Sequence, residues 1–115
     1  MDVSALEGQE LQIVAFVEDF LELRFADGPL LTLYEWPSVI LSEYSVSYGE
    51  PEYRNQLCAQ IGEEVETAEL EEGGTLTLKL ASGNVLALSL REEDMSGPEA
   101  GSYSESGDGE DSQEF

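Results

Sequence analysis

The chain contains no histidine, one cysteine and only four basic residues, Arg24, Arg54, Lys79 and Arg91, in 115 positions. Each scarcity excludes a class of chemistry. Without imidazole there is no Ser–His or Cys–His nucleophile and no histidine-held metal. A lone Cys58 permits neither an intramolecular disulfide nor a dithiol redox pair, and the residue is expected to serve as a small core side chain. No stretch approaches the roughly 18 apolar residues of a membrane span. The opening "MDVSALEGQE" has neither the basic nor the apolar segment of a leader, so a cytoplasmic location is expected. Phosphate-cradling glycine patterns do not occur, and "DGED" at 108–111 lacks the ligand spacing of a calcium loop. The reading is a protein without catalysis, cofactor or metal. A hydrolase built on two carboxylates would need both in one pocket, which the sequence does not place.

What the chain has in excess is acid. Twenty-six Asp and Glu against four bases give a formal charge of −22. Residues 96–115 contain six of the acids and no base, so residues 1–95 still carry 20 acids against 4 bases. Such a field repels nucleic acid and anionic membrane and accelerates encounters with cationic proteins. A basic protein is the favoured partner; solubility alone is the alternative use of the charge.

A second excess is repetition. "LELRFADGPLLTL" at 21–33 returns as "LTLKLASGNVLAL" at 76–88. If Ala26-Asp27-Gly28 and Ala81-Ser82-Gly83 are three-residue hairpin loops, Leu23 faces Leu31, Leu21 faces Leu33, Leu78 faces Leu86 and Leu76 faces Leu88. Arg24 with Leu30, and Lys79 with Val85, then point to the other side. Upstream, "GQELQIVAF" from Gly8 matches "GEEVETAEL" from Gly62, with one extra residue in the second copy near Gly73-Gly74. In both, the apolar positions change parity, which predicts a bulge in the first strand.

Two three-stranded β-meanders, about 8–36 and 62–91, therefore make a mainly β (α+β) domain spanning 1–100, a small sandwich or barrel-like roll. The linker at 37–61 holds a short strand at "WPSVIL" and one helix over 51–61, with Pro51 first, Tyr53, Leu57 and Ile61 as its apolar stripe and Gly62 as its cap. From 101 to 115 the text is Gly, Ser and acid with Tyr103 and Phe115 as the large apolar residues, a composition that predicts a disordered acidic tail.

The paired "ADG" and "ASG" hairpins, the linker ending "LCAQIGEEV" and the closing "GPEA" together resemble a group of small uncharacterised bacterial proteins. In that group a duplicated β-meander is followed by a Gly-Pro-Glu-Ala-like stretch. The resemblance spans roughly 8–100 and implies, for some members, an immunity-like role beside a toxin. It transfers no catalytic residue.

The densest acidic run is "EEVETAELEE", with Glu63, Glu64, Glu66, Glu69, Glu71 and Glu72. Residues two apart in a strand are about 6.8 Å apart, close to two phosphate steps along DNA, so mimicry of nucleic acid and a merely solvated strand edge both fit the pattern. Among the aromatics, Trp36 and Tyr53 read as core, whereas Tyr44 and Tyr48, set in a serine-rich loop, read as contact residues. The expected partner surface is thus Glu63–Glu72 with Tyr44 and Tyr48. Leu30 and Val85 either cover the far side of a closed barrel or meet their mates in a homodimer serving assembly.

Overall fold

A computed structural model describes all 115 residues and has ten strands and one α-helix. The first meander is β1 (Leu11–Val17), β2 (Phe20–Phe25) and β3 (Leu30–Leu33). A linker hairpin, β4 (Ser38–Ile40) and β5 (Ser45–Val46), leads to α1 (Tyr53–Cys58). The second meander is β6 (Val65–Leu70), β7 (Thr75–Leu80) and β8 (Val85–Ser89), and the chain closes with β9 (Gly101–Ser104) and β10 (Gln113–Glu114).

The hairpin registers follow from the leucine alternation. Leu21 pairs with Leu33 and Leu23 with Leu31, while Leu76 pairs with Leu88 and Leu78 with Leu86. All eight are buried in one apolar cluster, so the two sheets pack face to face. Each such leucine contributes about 2 kcal/mol relative to an exposed one. Gly28 and Gly83 take φ of +111° and +97° to close the two three-residue loops. The expected bulges fall between Leu11 and Ile13 and between Val65 and Thr67. The extra residue of the second repeat also lies where expected: Glu18-Asp19 forms a two-residue turn, while Glu71 and Thr75 close a longer one through Gly73-Gly74.

The sheets are not confined to their own repeats. Their orders are β1-β2-β3-β9-β10 and β5-β4-β8-β7-β6. The hairpin after the first meander joins the second sheet beside β8, and the hairpin after the second meander joins the first sheet beside β3. The two repeats thus exchange hairpins reciprocally. This corrects the expectation of a disordered tail at 101–115. Composition alone misjudged that segment because its order comes from pairing with β3 and not from its own apolar content. Leu31 faces Tyr103 across this pair, and Ala100, Tyr103 and Ser104 are buried. Phe115 packs on the core, and its carbonyl accepts the Ala100 N–H at 2.6 Å.

A second set of reciprocal contacts joins the meanders at one corner. Gly8 N–H donates to the Val65 carbonyl at 2.8 Å and Gly62 N–H to that of Leu11 at 2.7 Å; Leu11 N–H donates to Glu63 and Val65 N–H to Gln9, both at 2.9 Å. Each bond has its symmetry mate, which places a pseudo-two-fold axis at the Glu10–Glu64 bridge.

The linker differs from expectation in detail. The helix covers Tyr53–Cys58 and not 51–61, and from Gln60 the chain tightens into i→i−3 bonds, Gln60 N–H to Leu57 and Ile61 N–H to Cys58. At three residues per turn, Gln60 and not Ile61 falls under Leu57. Gln60 is therefore buried and Ile61 exposed. Cys58 lies on the outer side of the helix, exposed, which corrects its assignment to the core. Gly62 gives its N–H to Leu11 across the corner, so it serves the sheet junction and does not cap the helix.

The ordered C-terminal hairpin can be tested at Gly107, which has φ +84° and whose absent Cβ would overlap the Gly28 carbonyl oxygen. Gly107→Ala should lower stability by about 2 kcal/mol, read as the midpoint of chemical unfolding. A free tail would leave that midpoint unchanged.

Candidate interaction surface

The acidic run folds as the exposed outer strand of the second sheet, and its members separate into different roles. Glu63 is half-buried, and its Oε1 accepts the Ser82 N–H at 3.1 Å, fastening the β7–β8 turn. Gln9 does the same for Asp27 at 3.0 Å in the first repeat, so Glu63 is a structural residue of the duplication. Glu64 is exposed beside the bridge to Glu10. Glu66 occupies the bulge and meets Lys79 Nζ at 3.4 Å, an exposed pair worth at most about 1 kcal/mol. Glu69, Glu71 and Glu72 are exposed along the strand and its turn. Ala68 and Leu70 turn inward between them.

Tyr44 and Tyr48 are 49% and 52% exposed, but they do not form one site. Tyr48 stacks on Trp36 at 4.4 Å between ring centroids and 11° between planes, and Trp36 in turn stacks on Phe16 at 6.0 Å. Tyr53 meets both Trp36 and Tyr48 edge-on, and its buried hydroxyl donates to the Pro37 carbonyl at 2.6 Å. Burial pushes the Tyr53 phenol well above its usual range. Arg54 completes the cluster, its guanidinium carbon 4.8 Å above the Phe16 ring. Trp36 is therefore half-buried in a surface aromatic stack, while Tyr44 stands apart, its hydroxyl 3.5 Å from Gln56 Nε2. Nothing in the sequence links Phe16 to Arg54, because the two meet only in three dimensions.

Leu30 and Val85 lie on the outer faces of the two sheets, each half-buried between a basic neighbour and an added strand: Leu30 between Arg24 and Ser104, Val85 between Lys79 and Ile40. The added hairpins partly cover them, and the sheets stay open rather than closing into a barrel.

The C-terminal loop gathers polar groups most tightly. Asp111 accepts from the Ser104 and Ser106 hydroxyls at 2.6 and 2.9 Å and from the Ser106 N–H at 3.0 Å. The Ser104 hydroxyl first, then the Ser106 N–H, holds its carboxyl below the usual range. Asp2 is lowered likewise by Ser4. Tyr103 is pushed up, by burial first and then by Glu105, Asp2 and Asp111. No three carboxylates or thiols stand close enough to hold a metal ion, and the largest depression, about 590 Å³ beside Leu90 and Met95, gathers one carboxylate, Glu92. No helix is long and apolar enough to cross a membrane. No known protein family, curated protein or solved structure matches the chain.

The Asp111 bonds predict a pH response of definite sign. A depressed carboxyl stabilises the fold above its ordinary value of 3.8, and that contribution is lost as pH falls through its lowered folded value. On acidification the amide resonances of Gly107 and Gly109, both bonded to Ser104, should shift toward unfolded values before those of β7. Asp111→Asn should move the same two amides at neutral pH.

Proposed function

We propose that this chain acts by binding and not by catalysis, and that it engages a basic protein through the acidic outer strand formed by β6 and its turn. The observation that carries this reading is the placement of Glu64, Glu66, Glu69, Glu71 and Glu72: all five are exposed, along one strand, the bridge residue before it and the turn after it, and one of them, Glu66, is matched by a base. Around them stands a chain of charge −22, so the local edge sits within a long-range field that draws cationic surfaces toward it. An immunity-like protein that occludes the positive substrate groove of a nucleic-acid-cleaving toxin is one concrete form of this role. The electrostatics repel nucleic acid itself and anionic lipid.

The structure sorts the acidic residues for mutagenesis. Glu63 should be spared because it fastens a turn, whereas Glu64, Glu66 and Glu69 project outward with little structural work. Replacing these three with Lys should reduce capture of a basic partner at least tenfold, a loss of about 1.4 kcal/mol, while the thermal midpoint moves by a few degrees at most. Capture by the unaltered chain should weaken as salt is raised. Affinity that is indifferent both to the three substitutions and to salt would remove this surface from the function.

A further inference from the structure

We propose that the outer edge of β1 joins two copies of this chain, paired antiparallel about Ala15. The inference is independent of the acidic-edge reading, because charge opposes this contact and favours that one.

β1 is the outermost strand of its sheet, paired on one side with β2. The two-residue turn at Glu18-Asp19 sets Val17 opposite Phe20 and Ala15 opposite Glu22. In antiparallel alternation these are the hydrogen-bonded pairs, so the N–H and C=O groups of Val14 and Phe16 point away from β2. Between Leu11 and Val17 there is no charged residue, and Ile13 and Val17 are 49% and 37% exposed. The pseudo-symmetric strand β6 is treated differently. Its outward Ala68 N–H donates to Glu7 Oε2 at 3.0 Å, the 3-10 turn at Ser4–Leu6 lies against it, and Glu66 and Glu69 stand along it. Charge, cover and a bulge are the ordinary means of blocking an edge. β6 has all three, whereas β1 has the bulge and no charge of its own, with the Arg54 guanidinium over the Phe16 ring.

The sequence of β1 points to a second copy as the occupant. Two such strands paired about Ala15 place Val14 of one opposite Phe16 of the other, so the free N–H and C=O groups of both are satisfied. The same register puts Ile13 opposite Val17 of the second copy on the outer face, uniting the exposed apolar side chains. It also brings Arg24, the neighbour of Ile13 on β2, alongside the acidic Glu18-Asp19 turn of the second copy. Lys79 and Arg91 sit within 4.0 Å of carboxylates in their own chain, whereas Arg24 and Arg54 have no such partner, and both flank β1. A cationic peptide would oppose these arginines; a second copy supplies the matching acids. Two chains of −22 nevertheless repel as wholes. Salt, which shortens the screening length to about 3 Å at 1 M, should therefore strengthen the dimer.

The test is sedimentation velocity of the full chain from low salt to about 1 M, with Val17→Lys and Ile13→Thr as interface variants. The expected result is a dimer whose dissociation constant falls at least tenfold across that range. Val17→Lys should be monomeric throughout although it makes the net charge less negative, with Ile13→Thr weakened and both retaining the parent near-ultraviolet spectrum. A Cys58→Ser, Ala15→Cys chain fixes the register: the two Cα atoms would lie about 4.5 Å apart across the axis, within disulfide range. It should cross-link on mild oxidation, while Ile40→Cys in the same background should not. A monomer at every salt concentration, a dimer untouched by Val17→Lys, or cross-linking at position 40 and not at 15 would overturn the proposal. So would saturation of the β1 edge by an extended lysine-flanked peptide on a chain that stays monomeric at high salt.

Discussion

The hydrogen-bonded corner between residues 8–11 and 62–65 is the constraint on which the rest of the fold depends. A three-stranded meander offers one apolar face and cannot bury it alone. The four reciprocal backbone bonds at this corner hold two such faces opposite each other, with Gly8 and Gly62 both at positive φ where the chain must turn sharply. Once the corner is set, the leucines of β2, β3, β7 and β8 can only point at one another. The later hairpins then have one arrangement left, each passing over to the other repeat and adding beside its third strand.

That exchange explains why the ends of the molecule behave as they do. β9 and β10 occupy on the first sheet the place that β4 and β5 occupy on the second, so the C-terminal segment is a working part of the first repeat's sheet. Its glycines are fitted to this role at two points. Gly101 sits where a side chain would strike the Thr32 carbonyl, and Gly107 where one would strike Gly28. The acids of the segment add to the field of the whole molecule, and Asp111 also ties the loop internally.

The duplication is close in backbone and divergent in surface. Gln9 and Glu63 perform the same turn-fastening bond, yet the Glu7 carboxylate caps an outward N–H of β6, whereas the matching position of the other repeat is Ile61, whose side chain can accept no hydrogen bond. Phe16 of the aromatic stack with Trp36 and Tyr48 has Leu70 as its counterpart, which lines a shallow depression with Leu90, Met95 and Phe115. The two outer strands have thereby diverged: β6 carries Glu66 and Glu69, whereas β1 has no charged residue between Leu11 and Val17 and Phe16 on it joins the aromatic stack. Both proposed contacts arise from this loss of symmetry, one on each outer strand.

Alternation, turn chemistry and the written repeat determined by themselves the two meanders, their registers, both bulges and the site of the extra residue. Those features depend on neighbours a few residues apart, where the period of two and the loop glycines leave one arrangement. Tertiary structure decided what depends on distant partners. The order of residues 101–115 comes from β3 and not from their own composition, and the sheet order comes from which edges were vacant. Ile61 was displaced by Gln60 when the helix tightened, and Cys58 was left outside. The exposed edge of β1 could not be read from "QIVAFV", because a strand with that apolar content suits the middle of a sheet equally well, and only the packed molecule shows which side of it remains uncovered.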